Sequence, residues 1–266
     1  MIETILGLRA KTKTKKPLIH CITNPISING CANVILSVGA KPMMAEHPEE
    51  VREITETADA LMLNLGNITD ARMASMEISL AYATKKGIPV LLDAVGVACS
   101  ALRRRLLQKL LAISSPSVIK GNYSEIAAIY DGAYSSPGVD ADSALDICTI
   151  TQAAEALART YQTVILATGE VDIVSDGVKT VHLKNGTKQL ATVTGTGCML
   201  GSLCASFLPS AVPLDAAVSA CCYFGICGEL AETEKGGGTF YMNLLDNLSN
   251  LTKEEISKRM NMEEFT

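Results

Sequence analysis

Residues 88–95 read IPVLLDAV, an apolar run of strand length that ends on an aspartate. A run this short and continuous, following a glycine, predicts a buried β-strand delivering Asp93 to its C-terminal end. Upstream, residues 70–86 predict a helix with Asp70 as cap and Gly87 as terminator. Downstream, Ser100 is placed to cap SALRRRLLQKLLAI, whose Leu102, Leu106 and Leu110 share one face, before SVIKG (117–121) extends again. NYSEIAAIYDG returns to helix.

The same alternation continues in both directions. LIHCIT (18–23), KPMM (41–44) and ADALMLNLG read as strands. ISINGCANVILSVG (26–39), stopped by Gly39, and HPEEVREITETA, with Pro48 in its first turn, read as helices. TQAAEALART leads into the strand TVILATG, and 133–146 is expected as a surface loop. Strands alternating with helices mean βαβ units and an α/β fold in one domain, 1–266. VDIVSD and KTVHLKNG follow as hairpin strands turning through Gly177. VTGTGCMLGS (193–202) then opens a helix, and the remainder is mostly helical.

A chain of 266 residues, 48% hydrophobic and 19% charged, can bury a sizeable core. None of its stretches free of charged residues reads as a bilayer-spanning segment, and no signal peptide is evident, so a cytoplasmic protein without a membrane partner is expected. A net charge of −5 gives no field favouring nucleic acid. Lys11, Lys13, Lys15 and Lys16 are expected to form a solvated lead-in. Nine cysteines, an odd number without a Cys-x-x-Cys pair, suit free thiols in a reducing compartment. Three scattered histidines give little support to a zinc site.

Three strand ends and one glycine-rich turn gather candidate chemistry. Asp93 stands where ligands bind in open α/β sheets, with Lys120, Asn122 and Glu125 at the end of the next strand. Asn122 and Glu125, three apart, read equally as oxygen donors for hydrated Mg²⁺ and as a capping box. Thr168 and Gly169 close another strand. Gly195, Thr196 and Gly197 let backbone approach a ligand closely, and the helix opening near Cys198 adds a positive end of roughly half a charge. Together these suggest phosphoryl chemistry without a Walker sequence.

The segments PLIHCITN (17–24), Ala32-Asn33, GAKPMM (39–44), LLDAVGV (91–97), IKGNYSEI (119–126), ATGEVD (167–172), VTGTGC (193–198) and GGGTF (236–240) occur in the order found in hydroxyethylthiazole kinases, a family the chain resembles over nearly its whole length. The resemblance implies a ribokinase-like fold, a central mostly parallel sheet flanked by helices on both faces. It implies ATP-dependent phosphorylation of the primary alcohol of 4-methyl-5-(2-hydroxyethyl)thiazole, with Mg²⁺, in a homotrimer whose active sites lie between subunits. By position, Met44 and Gly195 would contact the thiazole, with Asn24 as a pocket neighbour. Lys120, Thr168 and Gly197 would bind ATP. Asp93 and Glu125, supported by Asn122, would organise Mg²⁺, and Cys198 would stand in the place of the general base.

The chain departs from the family's usual pattern in having Lys120 for arginine, Lys41 within GAKP, Ala94 after the aspartate and GGGTF for GPGSF. Lysine offers a point charge where arginine offers a planar fork. Phosphoryl transfer through a loose transition state tolerates a weak base, and a helix N-terminus is expected to lower a thiol pKa from about 8.5. Competing readings are a ribokinase-like lyase acting on hydrated nicotinamide nucleotides, a kinase of another small alcohol such as hydroxymethylpyrimidine, a cysteine hydrolase, for which no histidine shares a motif with Cys198, and a non-catalytic binding protein.

Overall fold

The computed structural model describes residues 1–136 and 145–265. Helix α1 (Ile2–Lys15) precedes β1 (Leu18–Ile22), α2 (Ile28–Ser37), β2 (Lys41–Met43), α3 (Val51–Thr57), β3 (Ala60–Asn64), α4 (Asp70–Lys86) and β4 (Val90–Asp93). Then come α5 (Ala101–Ile113), β5 (Val118–Asn122), α6 (Tyr123–Tyr130), α7 (Ile147–Tyr161) and β6 (Val164–Thr168). The chain ends with β7 (Asp172–Ser175), β8 (Thr180–Leu183), α8 (Thr196–Phe207), α9 (Pro213–Ala231), α10 (Gly237–Asn250), α11 (Lys253–Arg259) and β9 (Met262–Phe265).

The strands form one sheet in the order β2-β1-β3-β4-β5-β6-β7-β8-β9. Neighbours from β2 to β6 pair in parallel, and β6 to β9 pair antiparallel. The alternation of side chains along each strand divides the core. Ala60, Met62, Leu91, Val118, Val164 and Leu166 face a layer that includes α8, α9 and α10. Leu61, Leu63, Val90 and Leu92 face α4 and α5, while Ile119, Ile165 and Ala167 face α6 and α7. Helices therefore cover both faces, which is why the inner strands read as unbroken apolar runs.

Several local expectations shift. Thr69, not Asp70, caps α4, its side chain accepting the Arg72 N–H; Asp70 is the first helical residue. Pro48 lies in a turn ahead of α3, which begins at Val51. The lead-in is helix α1, burying Ile5, Leu8 and Thr12, while its Lys11, Lys13 and Lys15 and the C-cap Lys16 stay exposed. The C-terminal strand β9, unforeseen, extends the sheet beyond β8. The expected surface loop at 133–146 falls largely, at 137–144, outside the described residues. Helix α9 is long and apolar enough to cross a membrane, yet 78% of that stretch is buried in the protein, so it reads as the central core helix.

Candidate active site

Strand register brings the site together. Asn64 pairs with Asp93 across β3 and β4, and Asp93 pairs with Lys120 across β4 and β5. Registered neighbours in a parallel sheet share a face. These three residues therefore continue the inward row of Met62, Leu91 and Val118, but as polar groups, at the end of the sheet beneath the N-terminus of α8. All three are buried, so each must find partners or pay the desolvation of an unmet polar group.

They find them in one another. Lys120 Nζ donates to Asp93 Oδ1 at 3.1 Å, and Asn64 Nδ2 donates to Asp93 Oδ2 at 3.0 Å. Asn64 Oδ1 accepts from Asn24 Nδ2 at 3.0 Å and from the Gly66 N–H at 2.9 Å. Asn24, just after β1, accepts the Ile26 and Ser27 N–H groups on its own Oδ1, which turns the chain towards α2. Both amides also aim at sulfur: Asn64 Nδ2 lies 3.2 Å and Asn24 Nδ2 3.6 Å from Cys198 Sγ.

Burial first, then the Asp93 charge, holds the Cys198 thiol above its ordinary pKa, against the pull of Lys120, Ser27 and Asn64. The expected lowering by the helix end is thus outweighed. Burial works against the Lys120 ammonium, but Asp93, Cys198 and Glu125 overcome it and raise its pKa. Burial likewise raises the Asp93 carboxyl, with Lys120 and Asn64 opposing.

Asn122 and Glu125 form the capping box that their spacing allows. Asn122 Oδ1 accepts the Glu125 N–H at 2.9 Å and Glu125 Oε2 accepts the Asn122 N–H at 2.7 Å, a complete capping box. Glu125 Oε1 accepts the Gly96 N–H at 2.7 Å. Burial, with Asp93 nearby, pushes the Glu125 pKa up to about 7.

A cavity of about 580 Å³ opens over this network, lined in part by Asn24, Lys120, Asn122, Glu125, Thr168 and the turn 191–198, which includes Gly195, Gly197 and Cys198. Gly195 caps α8 with φ +87°, a left-handed conformation that favours glycine. Asp93 lies behind Lys120, and Met44, beyond the edge strand β2, is not among the lining residues. Neither is any histidine; His20 is tied to Thr55 and Ala45, and His182 to Thr151. A second cavity of about 670 Å³, lined by Asp172, Lys184, Lys188 and Phe224 among others, shares Thr168, Ala191, Thr196 and Gly197 with the first. The sequence reading missed Asn64, although an asparagine ending an apolar strand beside Asp93 was a signal. It also missed Arg103 on the cavity wall.

The family model for the hydroxyethylthiazole kinase family matches residues 10–254. The chain belongs to the hydroxyethylthiazole kinase family. It is 47% identical to hydroxyethylthiazole kinase 2 of Clostridium botulinum (strain Hall), over 98% of this chain and all of that one. Among solved structures it resembles the hydroxyethylthiazole kinase protein of Pyrococcus horikoshii OT3, at 33% identity and a TM-score of 0.90, covering 98% and 99% of the two chains. The pyridoxal kinase of Staphylococcus aureus, solved with ADP, shares the fold at 12% identity and a TM-score of 0.69, over 94% and 98%. As a member of the hydroxyethylthiazole kinase family the chain is a phosphotransferase with the ribokinase-like fold, and the site above lies where its strand ends meet the N-terminus of α8.

Proposed function

We propose that this chain transfers the γ-phosphoryl group of ATP to the primary alcohol of 4-methyl-5-(2-hydroxyethyl)thiazole, a step of thiamine biosynthesis and salvage. The observation that carries the reading is Cys198 at the N-terminus of α8, contacted by two amides and opening on a cavity that shares wall residues with a second, larger one. The larger cavity suits the nucleoside, and the smaller one suits the phosphates and the acceptor alcohol. Thr168 and Gly197, common to both, and Lys120 are assigned to the nucleotide; Gly195 and Asn24 to the alcohol.

In the reaction the alcohol oxygen attacks the γ-phosphorus in line as the bond to the β-phosphate oxygen breaks, leaving ADP. Backbone N–H groups at the start of α8 and the Lys120 ammonium stabilise the charge on the transferring group. Cys198 takes the alcohol proton late, so the thiol's weakness as a base costs little. Asn24 and Asn64 hold its sulfur in place.

The residues fit Mg²⁺ in part. Glu125 offers a hard carboxylate at the cavity wall; its oxygens accept the Gly96 and Asn122 N–H groups, which fix it and leave each a second lone pair for the water shell of an ion that arrives with the phosphates. Asp93 does not line the cavity and is bonded to Lys120 and Asn64, and we assign it to holding Lys120. No group of three or more His, Cys, Asp or Glu able to hold a metal occurs among the described residues. When bound, Mg²⁺ neutralises phosphate charge.

A homotrimer with sites between subunits would explain the position of Met44, at the edge of the sheet and away from its own chain's cavity. It would also cover the exposed Ile26 and Met242. Nine free thiols support a reducing, cytoplasmic setting. An ADP-release assay with Mg-ATP and hydroxyethylthiazole, run beside hydroxymethylpyrimidine and pyridoxal, tests the proposal. Folded protein that releases no thiazole-dependent ADP would refute it.

A further inference from the structure

Helix α5 carries three consecutive arginines, Arg103 to Arg105, after its first two residues, and the fold gives each a different surrounding. Arg104 spends its guanidinium on the carbonyls of Val97, Ala98, Gly132 and Tyr134. Arg105 is exposed along a separate groove beside Cys99 and Gln108. Arg103 alone of the three lines the cavity that holds Lys120, Glu125 and the turn before Cys198.

The β4–α5 loop is shaped around that guanidinium. Arg103 Nη1 donates to the Val95 carbonyl at 3.2 Å. Gly96 adopts φ +76°, and a Cβ there would fall 1.9 Å from Arg103 Nη1. On its other side the Gly96 N–H is the one that Glu125 accepts. A glycine at this position therefore fixes Glu125 and leaves room for Arg103 at the same time.

Charge then distinguishes the two cations on the cavity wall. Lys120 is matched by Asp93 at 3.1 Å. Arg103 is in no ion pair among the described residues. A planar guanidinium anchored by one N–H to a carbonyl retains others for a tetrahedral oxyanion, which it binds through paired N–H donors. It lines the smaller cavity and not the larger one, which puts it at the phosphate end of the nucleotide.

We propose that Arg103 is a phosphate-binding residue that holds the terminal phosphates of the nucleoside triphosphate against the β4–α5 loop. This rests on the kinase reading above. It gives the site a planar phosphate donor although position 120 carries a lysine.

The test compares ATP with AMP, which lacks the terminal phosphates, by calorimetric binding to the full chain and its Arg103→Met and Arg103→Lys variants, with steady-state kinetics alongside. Arg103→Met should weaken ATP binding at least about tenfold and leave AMP within about twofold of wild type. The KM for the thiazole should hold within the same margin. Arg103→Lys should recover part of the loss. Equal losses for ATP and AMP, or unchanged ATP affinity, would overturn the assignment by making Arg103 a loop support. If Arg103→Met does not fold, Arg103→Lys decides: weaker ATP with unchanged AMP sustains the role, and unchanged ATP overturns it. Wild-type protein that releases no thiazole-dependent ADP defeats the functional reading, whereas the ATP–AMP comparison still judges Arg103.

Discussion

Asn64 donates one amide proton to Asp93 Oδ2 at 3.0 Å and another to Cys198 Sγ at 3.2 Å, so a single side chain couples the ion-paired carboxylate to the thiol. Its carbonyl oxygen is used as fully, by Asn24 and Gly66. Asn64→Leu keeps the branched shape, at a larger volume, but strands a buried carboxylate oxygen and the Asn24 amide. We expect a stability loss of about 1–3 kcal/mol, measured by urea denaturation, and a lower kcat in the folded fraction. A variant as stable and active as wild type would show that the network is incidental.

Cys198→Ala should fold, bind ATP and turn over more slowly, by about 10²-fold or less. Cys198→Asp should stay active, because aspartate is charged at neutral pH and Lys120 stands close by. The pH profile separates the two cases. With the thiol held above its ordinary pKa, wild-type kcat should climb through the alkaline range, and the Cys198→Asp profile should be flat there. A wild-type profile equally flat would remove the thiol from proton transfer. An alanine variant that folds and binds ATP but gives no detectable product would make its role obligatory.

The fold was legible because strand and helix periods alternate cleanly from Leu18 to Thr168, and because Gly39, Gly87 and Ser100 mark helix ends as their chemistry requires. Misses came where context overrides pattern. α1 is a weakly amphipathic helix whose lysines mask three buried residues, and β9 is a charged edge strand whose pairing with β8 no local signal announces. In the site, Asp93 and Cys198 were readable from strand end and glycine turn. Asn64 needed the register across β3 and β4, and Arg103 needed three-dimensional sorting of three identical neighbours. The ambiguity of Asn122 and Glu125 was real, since the capping box and a ligand pair have the same spacing.

Asp172, beside the larger cavity, has its pKa raised to about 6 by burial, against the opposing Gly169 N–H. A carboxyl whose folded pKa exceeds its unfolded value, about 3.9, binds more protons when folded. Its contribution is therefore fully present below about pH 4 and is lost as pH rises through about 6. Asp172→Asn keeps an oxygen to accept the Gly169 N–H and removes the titration. It should match wild type in thermal stability near pH 4 and exceed it above pH 6. Parallel stability curves across that window would contradict the shift.

The two glycines of the turn before Cys198 should fail in different ways. Gly195 has φ +87°, and a Cβ there would meet Ser27 Cβ at 3.0 Å. Gly195→Ala should therefore cost about 1–2 kcal/mol through backbone strain alone, read as a lower denaturation midpoint. Gly197 lies inside α8, and its Cβ would meet only Lys120 Nζ, at an ordinary 3.7 Å. Alanine suits a helix better than glycine by roughly 0.5–1 kcal/mol, so Gly197→Ala should be at least as stable as wild type. Its methyl would stand over the Lys120 ammonium in the lining of both cavities, and the KM for ATP should rise. If Gly197→Ala binds ATP normally, the nucleotide does not approach the backbone at this turn, and the start of α8 would lose its assigned role in holding phosphate.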